Sequence, residues 1–179
     1  MDLYFIAIMP HLTLRKEILT FKEKIFTNTG AKKAMNSPAH ITIQRPFRRD
    51  REFEEILTSQ LESFAKKRNS FKISLSGFGC FEPRTIFVDV KESQELVQLH
   101  QELNSILLNT LDFEPKELNT NITPHVTIAN RDLDKKEFYR IWPTYKNRIF
   151  NAEFTVKSVF LLKHNGRNWD IIQEFLFKN

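Results

Sequence analysis

Two short stretches carry residue types that can do chemistry at a spacing that lets them do it together. They are His40-Ile41-Thr42-Ile43 and His125-Val126-Thr127-Ile128. Each reads as a strand, because β-branched apolar residues alternate with polar ones at a period of two. That period puts His40 and Thr42 on one face and Ile41 and Ile43 on the other; the second stretch repeats the arrangement with His125 and Thr127 against Val126 and Ile128. A strand that buries its aliphatic face therefore presents an imidazole beside a hydroxyl. Two such strands facing one another surround a cleft with two acid–base groups and two hydrogen-bond donors, a set suited to cleaving a phosphate ester. Imidazole titrates nearest neutrality, so a pair can hold one neutral and one protonated ring at working pH. The neutral ring takes a proton from water, and the protonated ring gives one to the departing oxygen. Thr42 and Thr127 donate to the non-bridging oxygens as charge develops, although threonine is also an ordinary strand residue. No metal is needed by this scheme, and His100 on a helix and His164 in a hairpin belong to no convincing His/Asp/Glu ligand cluster.

The letters His-x-Thr occur a third time, at His11-Leu12-Thr13. There the context is a strand ending at Pro10 and a helix beginning, with Thr13 as a candidate cap, so His11 reads as a surface residue at a turn. The other two copies each follow a nearby proline, Pro38 or Pro124, and sit in strand patterns. Further candidates flank them. Arg45 and Arg131, near the ends of the motif strands, are placed to meet phosphate, with exposed surface arginine as the alternative. Phe47 and Phe81 are candidates to stack on a base, with core packing as the alternative.

The elements that must position these residues follow from the hydrophobic pattern. Leu3–Met9 is a buried-strand run that Pro10 ends, and Leu14, Ile18, Phe21 and Ile25 make a helical stripe. The first motif strand runs on to Phe47. Asp50 caps a second helix with Phe53, Ile56, Leu57, Leu61 and Phe64 on one side. Strands at Phe71–Ser76 and Thr85–Val90 flank Gly77 and Gly79, which mark a bulge or turn. Leu96, Leu99, Leu103, Ile106 and Leu107 make a third helix. A fourth spans Leu133 to Tyr145, broken near Trp142-Pro143. The runs Phe154–Leu162 and Asp170–Phe177 flank Asn165-Gly166, a hairpin signal. Tightly connected strands favour antiparallel sheets, so the fold class is α+β with two lobes in one domain spanning 1–179, one motif in each half.

Bulk composition fits this. The chain has 179 residues, a formal charge of +5 and one cysteine. A single Cys80, among Phe78 and Phe81 with no neighbouring base, excludes a disulfide framework and a cysteine zinc site and fits a reducing compartment. The short apolar start lacks the basic flank of a secretion signal, and no run reaches membrane-spanning length, so a soluble cytoplasmic monomer without membrane or obligate protein partner is expected. The positive charge makes anionic ligands plausible but is scattered, as for exposed helix faces.

On these residues the chain resembles the two-histidine phosphoesterases, the LigT-like group labelled 2′-5′ RNA ligase or cyclic phosphodiesterase. The resemblance covers the opening strand Tyr4–Ile8, the first motif with Phe47 after it, a hairpin around Gly77–Phe81, the second motif, and the 85-residue separation of His40 and His125. It implies a bilobal α+β fold, with two antiparallel sheets facing a central cleft and helices outside. It implies hydrolysis of 2′,3′-cyclic phosphates of nucleotides or RNA ends, or of related 2′-5′ linkages, without a cofactor. It also leans toward His40 as acid and His125 as base, an order the residues alone leave open. The competing expectation is an RNA- or nucleotide-binding protein that keeps the fold without turnover.

Overall fold

A computed structural model describes residues 1–178. Eight strands and four helices follow in the order β1 (Asp2–Ile8), α1 (Leu12–Thr29), β2 (Ile41–Arg49), α2 (Arg51–Ala65), β3 (Phe71–Phe81), β4 (Thr85–Val90), α3 (Gln94–Thr110), β5 (His125–Ala129), α4 (Lys135–Lys146), β6 (Asn151–Val156), β7 (Ser158–His164) and β8 (Trp169–Leu176). Short 3₁₀ turns at Lys33–Asn36 and Pro115–Glu117 precede the two motifs. The strands form two four-stranded antiparallel sheets, ordered β2-β1-β7-β8 and β5-β4-β3-β6. This is the α+β, two-sheet architecture that the alternating strands and helices imply, with one motif per sheet.

The sheets are not sequence halves. The run Phe154–Leu162, which reads as one strand, is split at Lys157: β6 pairs with β3 in the second sheet, and β7 pairs with β1 in the first. The first sheet thus joins the two ends of the chain, and the second is built from its middle. The helices cross over as well. The helix after β1, α1, packs on β5 of the second sheet; the helix after β4, α3, packs on β2 of the first. One continuous apolar core results. Leu14, Ile18, Phe21 and Ile25 of α1 bury one stripe into it, as do Leu96, Leu99, Leu103 and Leu107 of α3. Each fully buried side chain of this kind contributes roughly 1.5–3 kcal/mol.

β1 is covered on both faces, which is why its sequence is apolar without alternation. Tyr4, Ile6 and Ile8 face the main core, whereas Phe5, Ala7 and Met9 join Phe160, Leu162 and Trp169 in a smaller cluster on the other side. Local details differ from the pattern in four places. α1 is capped by His11, whose Nδ1 accepts the N–H of Leu14 at 3.3 Å, so Thr13 lies inside the helix and the third His-x-Thr serves a helix end. Asp50 occupies the cap position of α2 without a side-chain cap hydrogen bond. Pro143 sits within α4, which continues to Lys146 instead of breaking. Gly77 marks a bulge with φ +73°, one of the two alternatives the glycines offer, but β3 continues through Gly79 to Phe81 and the hairpin turn falls at 82–84.

Candidate active site

His40 stands one residue before β2, and its ring is fixed from behind. Nδ1 lies 2.7 Å from the carbonyl oxygen of Pro38, two residues upstream. A carbonyl only accepts, so Nδ1 carries the hydrogen and Nε2 keeps its lone pair. The Phe5 ring packs against the imidazole at 4.8 Å between centroids. Thr42 pairs with Ala7 across β1–β2, a neighbour too small to cover its hydroxyl.

His125 opens β5 and repeats the device. Its Nδ1 lies 2.6 Å from the Thr123 carbonyl, again two residues upstream, which leaves Nε2 unprotonated in the neutral ring. Phe81 stands edge-on to it at 5.1 Å and Phe87 tilts against it at 5.0 Å. Across β4–β5, Asp89 pairs with His125 and Phe87 with Thr127, so these four side chains share one face. Gly79 is needed behind them, because a Cβ there would collide with the ring of Phe87.

β2 and β5 belong to different sheets but approach each other at the seam. A cleft of about 540 Å³ opens there, and His40, Thr42 and Thr127 line it. His125 lies on the Thr127 face of β5, close enough that positive charge on it opposes protonation of His40. Burial is the main cause of His40 being pushed down to about 4; the Pro38 hydrogen bond acts against it, and the Lys22 ammonium and His125 add to it. His125 is also held below the ordinary imidazole range by burial, with the Thr123 hydrogen bond and the Asp89 carboxylate pulling upward. Lys22 of α1 is itself 2% exposed, and burial lowers it to about 8. Its Nζ donates to the carbonyls of Ala34 (2.8 Å) and Ser37 (2.9 Å), pinning the segment that leads into His40.

Of the flanking candidates, Arg131 lines the cleft, and Phe81, 44% exposed, stands beside His125. Arg45 and Phe47 do not meet the cleft. Arg45 donates to the backbone carbonyls of Lys116 and Glu117, holding the 3₁₀ turn before the second motif. Phe47 is a core residue, packed on Phe113 at 4.9 Å and on Tyr4. Its register already says so, since it shares the odd parity of the buried Ile41 and Ile43.

The sequence reading missed Phe5, Lys33, Asn130, His164, Arg167 and Trp169, all of which line the cleft. The last three sit on the β7–β8 hairpin, whose Asn165-Gly166 turn the sequence does signal: the Asn165 N–H donates to the Asn168 carbonyl at 2.9 Å and Gly166 has φ +97°. That this hairpin reaches the first motif depends on β7 pairing with β1, which no local pattern encodes. Among the described residues no group of three or more His, Cys, Asp or Glu is arranged to hold a metal ion, and no helix is long and apolar enough to cross a membrane.

Comparison with known proteins bears on the family and the fold. Residues 10–168 match the family model of the 2′-5′ RNA ligase superfamily. A Geobacillus kaustophilus protein provisionally named a phosphoesterase is 29% identical over 143 residues, covering 78% of each chain. A Bacillus cereus relative with the same kind of name is 31% identical over 142 residues, covering 77% of this chain and 78% of its own. Among solved structures, TT0787 of Thermus thermophilus superposes with a TM-score of 0.73 at 19% identity, over 100% of this chain and 99% of that one. Escherichia coli LigT complexed with ATP gives 0.70 at 18% identity over 99% of each, a likeness of fold. With the paired motifs in place and most of its length matched, the chain belongs to the 2′-5′ RNA ligase superfamily, the two-histidine phosphoesterases of LigT-like fold.

Proposed function

We propose that the protein is a phosphodiesterase that hydrolyses 2′,3′-cyclic phosphates of nucleotides or RNA ends, or related 2′-5′ linkages, by acid–base catalysis shared between His40 and His125. The observation that carries this reading is the repeated fixing of both rings. Each Nδ1 is tied to a carbonyl two residues back, so each Nε2 is the free nitrogen; His40 and both motif threonines line the cleft, and His125 shares the strand face of Thr127.

In the reaction one neutral Nε2 removes a proton from water as the oxygen attacks phosphorus. The bond from phosphorus to one ribose oxygen breaks, and the other histidine, protonated, gives its proton to that oxygen. A phosphomonoester and a free hydroxyl result, and the two rings have exchanged protonation states, which solvent resets. Thr42 and Thr127 donate to the non-bridging oxygens. Proton transfer of this kind contributes about 10²–10⁴-fold per group, and one preorganised donor about 10²–10³-fold.

In the free protein burial holds both rings below the ordinary imidazole range; Asp89 makes a proton easier to place on His125, while Lys22 makes one harder to place on His40. The order implied by the family resemblance, His40 as acid, therefore requires the bound phosphate anion to raise His40. The decisive experiment is incubation of the purified protein with 2′,3′-cyclic nucleotides in EDTA, with His40→Ala and His125→Ala beside it. Turnover by the wild type, lost in both variants, is the expected result; equal turnover by all three ends the proposal.

A further inference from the structure

The surroundings of the two histidines differ. The cleft that His40 lines is also lined by Lys33 from the 3₁₀ turn before β2, Arg131 from the β5–α4 loop and Arg167 from the β7–β8 hairpin. Among the described residues no Asp or Glu lines it. Nor, among those residues, does any of these three cations make a salt bridge, whereas Arg49, Arg68, Arg140 and Lys163 all do. Three exposed cations brought to one cleft from three separate segments, with no carboxylate in its lining, make its field positive and favour an anion there.

The arrangement is also built rather than loose. The Asp132 carboxylate accepts the backbone N–H groups of Lys32 (2.8 Å) and Lys33 (2.9 Å), so the segments carrying Lys33 and Arg131 are tied together. Arg131 itself is held at φ +39°, a conformation that non-glycine residues adopt only where their surroundings impose it. Beside the cations stands Trp169, half-buried, its ring braced edge-on by Phe5 at 4.6 Å and by His164 at 5.0 Å. Around His125, by contrast, the side chains are the phenyl rings of Phe81 and Phe87 and the carboxylate of Asp89. The space of about 540 Å³ far exceeds what one phosphate group needs and falls within the range of sites that enclose a whole organic ligand.

We propose that the cleft beside His40 is a subsite for a second phosphate and a flanking base, so that the substrate is a single-stranded ribonucleotide end of at least two nucleotides rather than a mononucleoside cyclic phosphate. This rests on the phosphodiesterase reading above. The scissile phosphate sits between the histidines, the next phosphate is held by Lys33, Arg131 and Arg167, and a base lies against Trp169. Stacking of this kind tolerates any base, so the subsite measures length and charge more than sequence.

The test is steady-state kinetics with adenosine 2′,3′-cyclic phosphate and with the ApA dinucleotide ending in the same cyclic phosphate. The wild type is expected to favour the dinucleotide by about tenfold or more in kcat/KM, chiefly through KM, and added salt is expected to reduce that preference. Lys33→Ala and Arg167→Ala should each lower the dinucleotide-to-mononucleotide ratio several-fold, and the double variant should bring it near one. Arg167→Lys should retain part of it, and Trp169→Ala should lower it. A ratio that is the same in the wild type and the double variant overturns the proposal. If the wild type hydrolyses neither compound, the phosphodiesterase reading falls, and the subsite is then decided by binding. Tighter binding of ApA 3′-phosphate than of adenosine 3′-phosphate, abolished in the double variant, supports it; equal binding of the two by the wild type overturns it.

Discussion

The carboxylate of Asp132 accepts the backbone N–H of Lys33 at 2.9 Å, across 99 positions of sequence, and that of Lys32 at 2.8 Å. Asp132 follows the second motif strand and Lys33 precedes the first, so one side chain clamps together the entrances to both halves of the site. Asp132→Ala should cost about 1–3 kcal/mol of stability, the range for charged hydrogen bonds lost at a partly covered site. It should also lower kcat/KM by about tenfold, the effect of a small displacement of positioned groups. Urea unfolding and steady-state kinetics on the same preparation separate the two effects, and an activity loss no larger than that of a variant of equal stability elsewhere in the fold argues against a positioning role.

The two histidines should behave as one unit. Removing either imidazole is expected to lower kcat by about 10²–10⁴-fold, and removing both should cost little more than removing one. Thr42→Val and Thr127→Val, which keep shape and lose the hydroxyl, should each lower kcat by about 10²-fold with little change in KM. A rise in KM alone would assign the hydroxyls to binding of the ground state.

Burial of His40 makes stability depend on pH with a definite sign. The unfolded chain takes up this proton near pH 6.5, while the fold resists it until about 4. Protons therefore favour the unfolded state throughout that window, and stability contributed by the neutral ring is lost as pH falls through it, by about 3 kcal/mol in all. His125 and His100, both lowered mainly by burial, add in the same direction. Unfolding free energies measured between pH 7 and 4 should show the decline, and His40→Gln should flatten part of it.

Gly79 should tolerate no side chain. Gly79→Ala drives a methyl into the Phe87 ring, which in turn bears on His125. An overpacked contact of this kind costs about 1–3 kcal/mol, and turnover is expected to fall further than binding because the displaced ring backs a reacting group. Phe87→Leu in the same background should restore part of both, which a general loss of folding would not allow.

Much of this site was legible because it is local. His40 and Thr42, and His125 and Thr127, obey strand parity, and the hairpin announces itself at Asn165-Gly166. What escaped local reading is long-range. Lys157 looks like one more polar position in an alternating strand, yet the chain there leaves one sheet for the other. Arg167 and Trp169 flank a turn like any other until β7 is laid beside β1. Arg45 looks like a phosphate ligand because of its distance from His40 in sequence, but it has the opposite strand parity to Thr42 and donates to the turn at Pro115–Glu117. Pairing partners, rather than propensities, decided each of these.

The crossing at Lys157 also sets the order in which the molecule is completed. Every strand of the sheet bearing His125 lies between Phe71 and Val156, so its four strands are complete in sequence before the β7–β8 hairpin begins. The sheet bearing His40 waits: β1, made before either of its neighbours, has β2 on one side and an open edge on the other until β7 arrives. An open apolar edge is a site for mispairing. The motif-bearing sheet begun first is thus the one finished last, and a chain ending before residue 158 has the strands of one wall of the cleft and an unfinished second wall with a sticky margin.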